Sequence, residues 1–212
     1  MKILMINPNS STYTDKCLKE KIKVLNMSDI VDVAHMKSGP ELMLTYKEMA
    51  EVLPEMMQIV EKGEYDAYIV GCHSDPNLDV LKEISKKPVL GIGEVSMKMA
   101  SLFCNGFAIV SPSEKSVARK WLLARKYNCE QLYKGAVFPA ENCRQSLLEA
   151  ARRAQNDFYV DGVILGCANY TNYDKYIQKE TGLKVIDGVS YALILAKSLV
   201  EYEKYLEVKS ID

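Results

Sequence analysis

Short runs of apolar residues alternate along the whole chain with segments in which apolar residues recur at helical spacing. A continuous apolar run is typical of a parallel strand buried on both faces, and the spaced pattern is typical of an amphipathic helix. The runs predict strands at residues 2–7, 30–35, 67–72, 89–93, 107–111, 135–138, 162–167 and 184–187. The helical patterns cover residues 11–25, 41–62, 77–85, 95–103, 114–127, 141–156, 172–181 and 189–207. This alternation predicts right-handed crossovers and an α/β fold built on parallel sheets.

The second half of the chain repeats the pattern of the first half. One apolar run in each half ends in Gly-Cys, at Cys72 and at Cys167. Each cysteine is followed at the twenty-first position by a glycine, Gly93 and Gly188, with another apolar run shortly before it. Two similar α/β units would face each other with one cysteine at each inner edge, and the cleft between them is the natural place for a ligand.

The boundary between the two units is expected near residue 94, where the repeated pattern of the first unit is complete. The final helix is expected to pack back on the first unit, since the chain must cross the interface somewhere. The predicted first half therefore comprises residues 1–93 with 190–212, and the predicted second half comprises residues 94–189.

The two cysteines lie where ligands bind in open α/β sheets, at the carboxyl ends of the strands. Backbone N–H groups at the start of the next helix would favour the thiolate of each cysteine. A thiolate takes a proton and a thiol gives one, so two thiols on opposite faces of a carbon acid could invert its configuration without a cofactor. Asn7, Ser74 and Asn169 would hold the neighbouring carbonyl and its enolate.

Composition excludes several other classes of function. The chain has 212 residues and a formal net charge of -1 with both signs interspersed, which gives no electrostatic footprint for nucleic acid or an anionic membrane. Its apolar stretches fall short of the roughly 20 residues that a membrane helix needs. With two histidines and no Cys-x-x-Cys pair among six cysteines, neither a metal site nor a redox dithiol is expected. We expect a cytoplasmic protein with free thiols.

Six short motifs extend across nearly the whole chain. They are Ile6-Asn7-Pro8-Asn9-Ser10, Gly39-Pro40, Cys72-x-Ser74-Asp75-Pro76, Pro88-Val89-x-Gly91-Ile92-x-Glu94, Leu165-Gly166-Cys167-Ala168 and Asp187-Gly188. In this order they resemble the aspartate/glutamate/hydantoin racemase superfamily, and within it the hydantoin/allantoin racemase branch. The resemblance implies two flavodoxin-like halves with parallel sheets facing a central cleft, and racemisation that needs no cofactor.

The resemblance also implies roles for single residues. Cys72 and Cys167 would be the acid/base pair acting on opposite faces of a small carbon acid, such as a 5-substituted hydantoin or allantoin. The substrate-binding residues are expected to be Asn7, Ser10, His73, Ser74, Ala168 and Asn169. The expected partner is a small-molecule substrate, with no nucleic acid, membrane, metal or cofactor, and the expected assembly is a homo-oligomer.

Several positions depart from the pattern of this branch. His73 follows the first cysteine where Phe is usual, Asn77 replaces a Gly, and Tyr170 stands where Met is usual. Leu42 occupies a place that often carries Ser. These departures predict an altered substrate range. An aspartate/glutamate-type amino-acid racemase and a non-catalytic small-molecule binding protein on the same fold remain open as alternatives.

Overall fold

The computed structural model describes residues 1–207, which form two parallel four-stranded sheets, one in each half of the chain. The strands of the first sheet are β1 (Ile3–Asn7), β2 (Val31–His35), β3 (Ala67–Val70) and β4 (Val89–Gly91), in the order β2-β1-β3-β4. The strands of the second sheet are β5 (Phe107–Val110), β6 (Tyr133–Val137), β7 (Gly162–Leu165) and β8 (Lys184–Ile186), in the order β6-β5-β7-β8. The two orders are the same, so the predicted α/β fold with two similar halves is confirmed.

Helices connect the strands and cover both faces of each sheet. They are α1 (Thr12–Val24), α2 (Tyr46–Glu51), α3 (Leu53–Lys62), α4 (Leu78–Ile84), α5 (Ile92–Phe103), α6 (Val117–Lys126), α7 (Arg144–Phe158), α8 (Asp174–Thr181) and α9 (Gly188–Glu207). Short 3₁₀ segments at Glu114–Ser116 and Ala168–Tyr173 precede α6 and α8. Among the described residues, no helix is long and apolar enough to cross a membrane.

The single helix predicted at residues 41–62 is wrong, because the structure has α2 and α3 there. Thr45 begins α2 with a capping box, in which its side chain accepts from the Glu48 N–H while the Glu48 carboxylate accepts from the Thr45 N–H. Pro54 lies in the first turn of α3, where its missing N–H costs no helical hydrogen bond. Residues 41–44 are therefore a loop beside the cleft.

Both cysteines lie two residues beyond their strands, because β3 ends at Val70 and β7 at Leu165 rather than at the cysteines themselves. The last ladder pair of β3 with β4 joins Val70 to Gly91, and α5 begins at the next residue. Gly93 consequently belongs to a helix start rather than to the strand predicted at residues 89–93. Gly71 still donates to the Ile6 carbonyl at 2.7 Å and Gly166 to the Val110 carbonyl at 2.8 Å, so each cysteine directly follows the residue that makes the last hydrogen bond to the neighbouring strand.

The helix that follows the last strand of each half packs on the other half. On α9, the buried residues Ala192 and Leu193 pack in one core with Ile3 and Met5 of β1. On α5, Met97 and Ala100 pack in the core that contains Phe107, Ile109, Ile164 and Ile186 of the second sheet. This packing agrees with the expectation for the final helix. The exact division of the chain stays a prediction, and residues 208–212 of its first part lie outside the described residues.

Candidate active site

A cavity of about 40 Å³ lies where the carboxyl ends of the two sheets meet. Cys72 from the first half and Cys167 from the second half both line it. Of the residues predicted to bind the substrate, the structure also places four in its wall, namely His73, Ser74, Ala168 and Asn169. One cleft thus collects both thiols and four of the six predicted binding residues.

A buried carboxylate fixes the loop that carries Cys72. Asp75 accepts hydrogen bonds from the backbone N–H groups of Gly93 (2.9 Å) and Glu94 (2.6 Å) in the first turn of α5. It also accepts from the Tyr127 hydroxyl of the second half at 2.7 Å. Burial raises the pKa of Asp75 to about 7, while these three donors favour its carboxylate. The loop is therefore tied both to α5 and to the opposite half.

A second buried carboxylate fixes the loop that carries Cys167. Asp187 accepts from the hydroxyls of Thr171 (2.6 Å) and Ser190 (2.5 Å), and Lys21 lies 3.4 Å away. Burial raises the pKa of Asp187, and the positive charge of Lys21 opposes that rise. Thr171 belongs to the 3₁₀ segment directly after Cys167, so this loop is held to the start of α9.

The ionisation of the two thiols is controlled mainly by burial. Burial raises the pKa of Cys72, and it raises the pKa of Cys167 to about 11. The backbone N–H groups of Ser74 and Asn169 lower these pKa values, as the strand-end position predicts. Burial outweighs the N–H groups in the free protein, so the pKa of each thiol is raised overall. A thiolate at Cys72 would raise the pKa of Cys167 further.

Lys120 of α6 is a site residue that the sequence analysis missed. Its side chain is buried and lines the cavity between the two cysteine loops. Its Nζ donates to His73 Nδ1 at 3.2 Å and to the Gly166 carbonyl at 3.0 Å. Burial lowers the pKa of Lys120 to about 8, and its positive charge lowers the pKa of both thiols. In the sequence it is one of several basic residues on a helix, without a pattern to distinguish it.

His73 is a neutral ring that positions Lys120. The Ser96 hydroxyl donates to the Gly93 carbonyl at 2.9 Å, so it accepts from His73 Nε2 at 3.1 Å. The other ring nitrogen, Nδ1, is then free to accept from Lys120. Burial and the adjacent charge of Lys120 lower the pKa of His73 well below its ordinary value, which agrees with this tautomer.

Asn7 and Ser10 do not line the cavity. The Asn7 amide is buried and donates to Asp15 Oδ1 at 2.8 Å, while its oxygen accepts from the Asn9 N–H at 3.3 Å. The Ser10 N–H donates to the Pro40 carbonyl at 3.0 Å. Asn9, two residues beyond Asn7, is the residue of this motif that reaches the cavity wall. The motif thus lies at the strand end expected for it, with Asn9 rather than Asn7 in the cavity wall.

Asn169 presents an unpaired acceptor at the cavity. Its amide oxygen Oδ1 is buried and has no hydrogen-bond partner within residues 1–207. A buried acceptor without a partner costs on the order of 1–3 kcal/mol, so a substrate N–H group would relieve a penalty here. No cluster of three or more His, Cys, Asp or Glu side chains that could hold a metal ion occurs in the described part of the chain.

The departures from the family pattern fall in different places. Leu42 lines the cavity of the two thiols. Asn77 lines an adjoining cavity and donates to the Met49 carbonyl at 2.6 Å. Tyr170 is buried in the core of the second half instead, so it has no direct part in an altered substrate range.

Comparison with known proteins identifies the family of this chain. A family model described as Asp/Glu/Hydantoin racemase matches residues 3–196, which is most of the chain. The chain belongs to the Asp/Glu/hydantoin racemase family. The resemblance inferred from the sequence motifs, and with it the prediction of a racemase-family enzyme, is confirmed.

Other members of the racemase family are similar to this chain over nearly their full lengths. A hydantoin racemase of Paenarthrobacter aurescens is 28% identical over 94% of this chain and 91% of its own. A hydantoin racemase of a Pseudomonas species, strain NS671, is 29% identical over 96% of this chain and 88% of its own. The fold is that of allantoin racemase from Klebsiella pneumoniae, with a TM-score of 0.86 at 20% identity, over 96% of this chain and 89% of that one.

Proposed function

We propose that the protein is a cofactor-independent racemase of a 5-substituted hydantoin or of allantoin, with Cys72 and Cys167 as its acid/base pair. The observation that carries the proposal is that both thiols, one from each half, line one small cavity. The hydantoin racemases among its relatives support this substrate class. The unpaired Asn169 oxygen in the same wall suits a ring N–H of such a substrate.

In the proposed reaction, one cysteine is thiolate and the other is thiol when the substrate binds. The thiolate takes the proton from the ring carbon, and the electron pair left behind moves onto the neighbouring carbonyl oxygen as an enolate. The opposite thiol then gives its proton to the other face of that carbon, so the carbon is inverted and the roles of the two sulfurs are exchanged. A single group could not reach both faces within hydrogen-bonding distance.

Lys120 supplies the positive charge that this exchange needs. The pKa values of both thiols are raised by burial, so a thiolate in this cavity requires a cation nearby. The ammonium is held between the loop after Cys72 and the carbonyl before Cys167, and thus serves whichever sulfur is ionised. It also favours the developing enolate.

The proposal is tested with Cys72→Ser and Cys167→Ser, followed by chiral chromatography and by exchange of the substrate proton in deuterium oxide. Each variant should lose racemisation by at least about 10²-fold, because serine is a far weaker base. Each should keep slow exchange from one enantiomer with retention of configuration, and the two variants should prefer opposite enantiomers. The partly exposed Cys143 at the N-cap of α7, which does not line the cavity, provides the control, because Cys143→Ser should leave the rate unchanged.

The substrate panel separates the alternatives. It contains hydantoins, allantoin, aspartate and glutamate, so turnover of the amino acids alone would establish the amino-acid racemase instead. Binding of a hydantoin without turnover in the wild type would favour a binding protein. Wild-type racemisation rates in both serine variants would show that the paired thiols are structural.

A further inference from the structure

A second cavity of about 290 Å³ adjoins the cavity of the two thiols. Ser74 and Lys120 line both cavities and form the boundary between them. The cavity at the thiols is far smaller than the roughly 300 Å³ of a typical ligand pocket, and the two together reach that size. A substrate whose ring carbon lies at Cys72 therefore has room for its substituent in the second cavity.

The second cavity holds a buried cation without a hydrogen-bond partner. Arg119 of α6 lines it, and its two terminal nitrogens Nη1 and Nη2 are buried with no partner among residues 1–207. A guanidinium keeps its charge in proteins and binds a carboxylate through two parallel hydrogen bonds. Its burial without a partner carries a cost that an anionic ligand would remove.

The other charged groups of this cavity already have partners. Asp75 accepts its three hydrogen bonds from α5 and Tyr127, and Asp79 pairs with Lys126 at 2.6 Å. Lys120 is bound to the cysteine loops as described above. The carboxylate of Glu48 lies near enough for Arg119 to lower its pKa, but the amides of Leu44 and Thr45 lower that pKa more, and they take its hydrogen bonds. Among the described charged residues that line this cavity, Arg119 is therefore the one whose terminal nitrogens lack a hydrogen-bond partner.

We infer that Arg119 binds a carboxylate at the end of the substrate's side chain, so that the preferred substrates are hydantoins with an acidic 5-substituent. The inference rests on the proposed function for the reaction, but the binding of the carboxylate can be measured independently. The ring lies between the thiols, the side chain passes Ser74 and Lys120, and the carboxylate meets the guanidinium in the second cavity.

The test compares the hydantoin of glutamic acid with the hydantoin of glutamine, which has nearly the same shape and no charge. Wild-type protein, Arg119→Met, Arg119→Lys and the control Arg125→Met are assayed for racemisation by polarimetry and for binding by calorimetry. Arg125 is on the same helix but stacks on Trp121, so its variant makes the same charge change away from the cavity. The glutamine hydantoin measures loss of activity that is unrelated to charge.

Wild-type protein and Arg125→Met should prefer the glutamic acid hydantoin. Arg119→Met should reduce that preference by about 10- to 100-fold, the amount that a hydrogen-bonded charge pair supplies, and Arg119→Lys should keep part of it. A loss of activity that affects the glutamine hydantoin as well is common to both substrates, so the result is read as the ratio of the two rates in each protein. If Arg119→Met does not fold, the wild-type preference and the Arg119→Lys variant still decide the question.

An equal preference in wild type and Arg119→Met, or a wild-type preference for the glutamine hydantoin, would overturn the inference while leaving racemisation intact. Arg119-dependent binding of the acidic hydantoin without any turnover would support the inference and contradict the proposed function. The two failures are therefore distinguishable.

Discussion

At the scale of single residues, Lys120 is the nearby cation that opposes the effect of burial on the pKa of the two thiols. A thiol buried on its own remains protonated at neutral pH, as the raised pKa of Cys167 shows. The ammonium of Lys120 acts against this effect, and His73 holds it in place as a neutral acceptor. The histidine after Cys72 thus helps to position the lysine through this hydrogen bond.

Replacement of Lys120 by methionine should lower kcat/KM at pH 7 by about 10- to 100-fold, because the thiolate loses its nearby cation. The sign of the pH effect follows from the same cause. Lys120 lowers the pKa of both thiols, so its removal raises them, and the ascending limb of the pH–rate profile should move to higher pH. The measurement is kcat/KM against pH for wild type and variant.

If Lys120 were purely structural, its replacement would lower the rate at every pH without moving the ascending limb of the pH–rate profile. That result would contradict the role of Lys120 as the cation that favours the thiolate. Arg125→Met, which removes a positive charge from the exposed face of the same helix, should leave the profile unchanged.

At the scale of elements, each cysteine loop is positioned by a buried aspartate bound to the start of a helix. Asp75 receives two N–H groups from α5, and Asp187 receives the Val189 N–H from α9 at 3.2 Å. Gly93 is needed in the first arrangement, because a Cβ there would lie 2.5 Å from the His73 carbonyl. The glycine found twenty-one residues after Cys72 in the sequence therefore has a steric reason.

Asp75→Asn should lower the free energy of unfolding by about 1–3 kcal/mol, because the amide NH₂ cannot accept from the Glu94 N–H or the Tyr127 hydroxyl. Asn tolerates the positive φ of 46° at this position, so the substitution should not strain the backbone. Urea unfolding provides the measurement. Asp79→Asn, which breaks only an exposed ion pair with Lys126, should cost less than about 1 kcal/mol. Equal effects of the two substitutions would refute the proposed function of Asp75 as an anchor.

The sequence predicted the elements better than the side chains within them. Apolar runs and the Gly-Cys repeat were enough to place both thiols at one cleft, since strand burial and the carboxyl-end position follow from local pattern. The broken helix at 41–62 depended on Thr45 and Pro54, which a long amphipathic pattern concealed. Lys120 and Arg119 could not be predicted, because whether a helix lysine or arginine faces solvent or a cleft is decided by packing with the other half.

At the scale of the whole molecule, the two halves are interlocked by the exchange of α5 and α9. The core of the first sheet includes α9, and the core of the second sheet includes part of α5. Loss of packing in either core therefore exposes apolar residues of a helix that follows the last strand of the other half. Unfolding should therefore be one cooperative transition.

Leu193→Ala on α9 should lower the stability of both halves together by about 2–5 kcal/mol, the cost of truncating a fully buried leucine. Trp121 on α6 is the single tryptophan of the chain and reports on the second half, whereas Leu193 lies in the core of the first half. Tryptophan fluorescence and far-ultraviolet circular dichroism should shift to the same lower urea midpoint.

The neighbouring half-exposed Ile194 supplies the control, since Ile194→Ala removes little buried surface and should shift the midpoint far less. A variant in which the circular dichroism transition moves while the Trp121 transition stays at its wild-type midpoint would show that the halves unfold independently.

The exchanged helices also bear on how such a chain can originate. Two identical half-length polypeptides could trade their last helices and form a symmetric pair with one thiol from each copy in a shared cleft. Fusion of the two genes would then free each copy to diverge. In the present chain the two halves differ at this place, because α6 puts Lys120 into the cleft where the matching helix α1 puts Thr14. The two halves therefore contribute different side chains to the cleft, a cation from the second half and a neutral hydroxyl from the first.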